Sequence, residues 1–77
     1  MLLEFTIEPF VEGNPGPHVT AAIAAAERCG ATVDVGPFGS SCVVAPEQAA
    51  TVVAAVVEAA FVNGATHVSL HAALEPE

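Results

Sequence analysis

An α+β fold with the element order β-α-β-β-α-β is what this sequence predicts, and three observations predict it. Leu3, Phe5 and Ile7 alternate with Glu4, Thr6 and Glu8, and Val68, Leu70 and Ala72 alternate with His67, Ser69 and His71. Both ends of the chain therefore read as half-buried strands. Between them, apolar residues recur twice at helical spacing, and the two helical stretches are separated by short β-branched segments around a Gly-Pro-Phe-Gly turn at 36–39.

The first strand stops at Pro9, where a Pro/Gly-rich loop begins. Pro17 suits a first helical position, because its missing N–H is one that a helix start leaves unpaired anyway. Val19, Ala22, Ile23 and Ala26 then form the expected buried stripe of a helix that Cys29-Gly30 closes. Val33 and Val35 alternate with Thr32 and Asp34 as a second strand, and residues 40–44 form a third beyond the turn. Pro46 and Glu47 open a second helix whose buried stripe should be Ala49, Val52, Val53, Val56, Val57 and Ala60, ending at Asn63-Gly64. Right-handed crossovers arrange these elements as an antiparallel sheet of order 4-1-3-2 with both helices on one face, the ferredoxin-like split βαβ arrangement.

With 77 residues, the chain is read as one domain, 1–77. A domain of this size buries roughly 60% of its unfolded surface, yet 53% of its residues are hydrophobic. Some apolar surface is therefore expected to meet another copy, as a homodimer or homotetramer. The formal charge is −8, with Arg28 the one Lys or Arg. Nucleic acid is excluded as a partner, because phosphate binding requires basic side chains, and an anionic membrane surface is disfavoured for the same reason. A neutral or cationic small molecule is compatible. Residues 49–57 are apolar but fall short of the about 20 needed to span a bilayer, and the N-terminal segment lacks the basic flank of a signal peptide. Cys29 and Cys42 form no CxxC motif and are expected to be buried free thiols in a cytoplasmic protein.

This topology brings three features to one end of the sheet: the loop that includes Phe10, the hairpin Gly36, Pro37, Phe38 and Gly39, and the start of the last strand at His67. The face left open by the helices carries Glu4, Thr6, Glu8, Thr32, Asp34, His67, Ser69 and His71. Glu8 is expected beside His67, and Glu4 beside His71, across neighbouring strands. The expected ligand-binding set is Glu8, Phe10, Asp34, Pro37, Phe38, Gly39, Ser40, Ser41 and His67. The rings and prolines would form a wall, and the polar groups would make contacts. Glu4 and His71 are expected to face solvent or a subunit, and His18 to face solvent. No metal site or cofactor is expected, since no HxH, HxxxH or HExxH spacing falls on one helix. No catalytic residue is expected either, since no GxSxG or comparable motif positions the serines.

The segments EFTIEPF, GPFGS and GATHVSL, spread over nearly the whole chain, resemble those of the thiamine-binding YkoF-like family. The resemblance implies a ferredoxin-like domain, here a single repeat, that assembles through its sheets. It also implies binding, without catalysis, of thiamine or its hydroxymethylpyrimidine portion. The matching positions are Pro9 and Phe10, then Pro37, Phe38, Gly39 and Ser40, then 66–69. Two other readings stay open at this point: a small oligomeric enzyme, and a structural or regulatory module whose open face only makes subunit contacts.

Overall fold

The structure, a computed structural model, describes residues 1–9, 15–36 and 39–74. Its elements are β1 (Leu2–Glu8), α1 (Pro17–Arg28), β2 (Val33–Val35), β3 (Ser40–Val43), a 3-10 turn (Pro46–Gln48), α2 (Ala49–Val62) and β4 (His67–Ala73). The four strands form one antiparallel sheet in the order β2-β3-β1-β4, which is 4-1-3-2 read from the other side. The ferredoxin-like arrangement is therefore present.

The core follows from the strand period of two. Leu3, Phe5 and Ile7 of β1 are buried, and they join Ala22 and Ala26 of α1, Cys42 of β3, and Val52, Val56 and Ala60 of α2 in one cluster. Both helices thus cover the same face of the sheet. Val33, Val68 and Leu70 pack at its margin. Val35, expected beneath the helices, is instead 60% exposed. It lies on a three-residue edge strand, beyond the reach of the helix layer.

The helix ends form where the glycines stand. Gly30 has φ 93° and Gly64 φ 106°, the left-handed conformation that closes a helix at little cost only for glycine. The second helix begins later than Pro46, because Pro46–Gln48 first makes a 3-10 turn. Of its expected stripe, Val52, Val56 and Ala60 are buried, while Ala49, Val53 and Val57 are half-buried at its edges.

In α1 the buried side chains are His18, Ala22, Ala25 and Ala26, and Val19 and Ile23 are only half-buried. The helix is rotated relative to the expected stripe, with its alanines turned inward. His18 does not face solvent: it is 8% exposed, and its Nε2 donates to the Pro9 carbonyl at 2.6 Å. That carbonyl can only accept, so Nε2 carries a proton. Gly16 makes room for the imidazole, since a Cβ there would stand 2.6 Å from His18 Cε1. The contact ties the residue after β1 to the first turn of α1.

Two further pairs of bonds close the sheet. The Thr66 N–H and hydroxyl both donate to the Glu8 carbonyl, at 2.8 and 3.3 Å, which holds the start of β4 against the end of β1. At the opposite end, the Met1 amino group donates to the Val44 carbonyl and the Val44 N–H to the Met1 carbonyl, both at 2.9 Å. Cys29 and Cys42 are free thiols, half-buried and buried respectively, and burial pushes the Cys42 thiol pKa up. No helix among the described residues is long and apolar enough to cross a membrane.

Candidate functional site

The open face is organised in rows that run across the strands, because residues opposite one another in an antiparallel pair project to the same side. Asp34 on β2 pairs with Ser41 on β3, Ser41 with Glu4 on β1, and Glu4 with His71 on β4. These four side chains form one polar row spanning the whole sheet. On one side lies an apolar row of Val43, Leu2 and Ala73. On the other lies Thr6 paired with Ser69, and beyond it Glu8 paired with His67. Both acid–histidine pairings expected from the sequence are thus in register.

A concavity of about 560 Å³ occupies the middle of this face, and the polar row lines it together with Thr6, Gly39 and Ser69. That volume is in the range of small-molecule sites. The two carboxylates, Glu4 and Asp34, sit two strands apart, roughly 10 Å between backbones at the ordinary strand spacing. No Lys or Arg lines the concavity. The chain's one such residue, Arg28, is in the last turn of α1. The site therefore presents negative charge, serine and threonine hydroxyls and an imidazole to anything that enters it.

The structure redistributes the expected residues. Asp34, Gly39 and Ser41 line the concavity as side chains or backbone of the open face. Ser40 also borders it, but it pairs with Phe5 and Val35, is buried, and belongs to the helix-facing set. Ser40 and Ser41 are consecutive on a strand and cannot both face the same side. Glu8 and His67 are paired and exposed, but they stand outside the lining. The His67 Nδ1 lies 3.0 Å from the Thr66 hydroxyl. Phe10, Pro37 and Phe38 lie outside the described residues. The Gly36 N–H donates to the Gly39 carbonyl at 2.7 Å and closes the hairpin at the same sheet end as Glu8.

Glu4 and His71, expected to face solvent or a subunit, are both exposed, and they are the acid and imidazole that border the concavity. Sequence pairing alone placed them together. What it lacked was their position opposite Ser41 and Asp34, which makes theirs the row that crosses all four strands. Among the described residues, no group of three or more His, Cys, Asp and Glu side chains is placed to hold a metal ion. Treatment with a chelator should leave the melting temperature unchanged. Zinc bound at one equivalent per chain and lost together with stability would contradict this. No protein-family model matches the chain, and no curated protein is significantly similar to it.

Proposed function

We propose that this protein is a non-enzymatic binding protein for thiamine or its hydroxymethylpyrimidine moiety, held on the open face of the sheet. The observation that carries this reading is the polar row Asp34–Ser41–Glu4–His71 bordering the concavity. Thiamine joins an aminopyrimidine, which offers N–H donors, to a cationic thiazolium. Two carboxylates on one row, with no Lys or Arg in the lining, suit both parts. Sequence resemblance to the thiamine-binding YkoF-like family points the same way. Titration calorimetry tests the reading directly. Saturable binding of thiamine without turnover is expected, and a failure of the wild type to bind either compound at millimolar concentration would refute it.

The same reading includes self-association in the cytoplasm, where Cys29 and Cys42 stay reduced. The apolar row Leu2, Val43 and Ala73 lies beside the ligand row, and Val43 is 62% exposed. A second copy covering this row would bury it and bring a subunit boundary next to the concavity. The protein should therefore sediment as a dimer or tetramer at micromolar concentration. A monomer throughout that range would remove self-association from the proposal.

A further inference from the structure

The two edges of the sheet differ. β2, at one edge, is three residues long and carries Asp34 at its centre. Short edge strands and charged side chains are ordinary means by which a sheet avoids pairing with other chains. β4, at the other edge, has neither. It runs for seven residues, HVSLHAA, with no Lys, Arg, Asp, Glu or Pro among them. It pairs with β1 at all seven positions in unbroken register, so no bulge turns it away. Among the described residues no strand pairs with its outer side, where every second residue presents a backbone N–H and C=O.

A strand added there would meet two different surfaces. On the helix side it meets Val68 and Leu70, which are half-buried at the margin of the core. Apolar side chains on that side would extend the core. On the open side it meets His67, Ser69 and His71, and one strand further in lie Glu8 and Glu4. The backbones of β1 and the added strand would be roughly 10 Å apart, a gap that a Lys or Arg and a glutamate span together. Ser69 and His71 also border the concavity with Glu4 and Asp34, in a lining that holds no Lys or Arg. These carboxylates select the occupant. A second copy of β4 would supply no Lys or Arg to them, and each copy carries a formal charge of −8.

We propose that the outer edge of β4 takes up an extended segment of a partner protein, with apolar side chains on the helix side alternating with Lys or Arg on the open side. Backbone hydrogen bonds to β4 supply the hold, and the acidic concavity reads the alternate side chains. This is a protein-binding role for the edge, and it does not depend on thiamine binding.

The probe is the peptide acetyl-Thr-Lys-Val-Lys-Val-Lys-Thr-amide, and its control carries Glu in place of each Lys. Both are titrated into the wild type, Glu4→Gln and Ser69→Lys while the amide resonances of the protein are followed. The Lys peptide should shift the β4 amides and slow hydrogen exchange at those that point outward. The Glu peptide should bind about tenfold or more weakly, because like charges then face each other. Ser69→Lys should weaken the Lys peptide by a similar factor, and Glu4→Gln should narrow the difference between the two peptides. If the Lys peptide at millimolar concentration leaves the β4 amides unshifted, the proposal is overturned. Equal affinity for the two peptides would overturn the partner chemistry it assigns. Outward amides already protected in a wild-type dimer that Ser69→Lys dissociates would show that a second copy holds the edge, which also overturns it. Thiamine titrated in a separate sample decides the small-molecule reading, whichever way the peptide result falls.

Discussion

Leu3→Ala is expected to remove about 2–5 kcal/mol of folding stability, the cost of deleting a large buried side chain and leaving a cavity. Leu3 is 1% exposed and lies on β1, a central strand flanked by β3 and β4. It packs in the cluster with Phe5, Ile7, Cys42, Val52 and Val56. Alanine already fills many of the positions that α1 and α2 turn toward the sheet, so few large side chains are available to close the gap. A chain of 77 residues has about 4–12 kcal/mol of total stability at the usual per-residue value. The substitution should therefore remove a large share of it, and urea titration should show a strongly lowered midpoint. Val35→Ala provides the contrast: that side chain is mostly exposed on an edge strand, and the loss there should stay within about 0.5 kcal/mol. A loss below 1 kcal/mol for Leu3→Ala would show that Leu3 is not part of the packed core.

Glu4→Gln is expected to weaken thiamine binding by about tenfold or more, because a charge-assisted hydrogen bond is worth roughly 1.5–3 kcal/mol and 1.4 kcal/mol is a factor of ten. The change keeps the shape of the side chain and removes only its charge. Glu4 sits in the polar row between Ser41 and His71, so the lost charge is one of the two carboxylates that line the concavity. If Glu4 faces the thiazolium, thiamine should lose more affinity than neutral hydroxymethylpyrimidine. If it holds the amino group of the pyrimidine, both should lose equally. Glu8→Gln, at the sheet end, and Phe38→Ala are read in the same titration. A large effect from those two with none from Glu4→Gln would move the ligand to the end of the sheet. Wild-type affinity in all three variants would refute both positions.

Much of this architecture is legible from local pattern. Alternation in residues 3–8 and 67–72 reports which side chains share a face, because the strand period is two wherever the strand goes. Gly30 and Gly64 mark helix ends through the backbone conformation they adopt. The pairing of Glu8 with His67 and of Glu4 with His71 follows once β1 and β4 are antiparallel neighbours of equal length. Net charge and the single Lys or Arg likewise need no coordinates to exclude phosphate-rich partners.

Other features depended on distances between segments far apart in the chain. Periodicity could not tell which side of α1 faces inward, because its alanines and its larger residues both recur at helical spacing. The rotation that buries His18 depends on the Pro9 carbonyl and on the space left by Gly16. Both serines at 40 and 41 looked equally available until the register with Phe5 and Glu4 assigned one to each face. The concavity on the open face was the least legible feature. A sequence states the side of the sheet to which each residue belongs, and here that set the candidate face. Which of those side chains line one concavity depends on residues brought together from four strands. Only the tertiary structure places Gly39, Thr6 and Ser69 in one row beside Glu4 and His71.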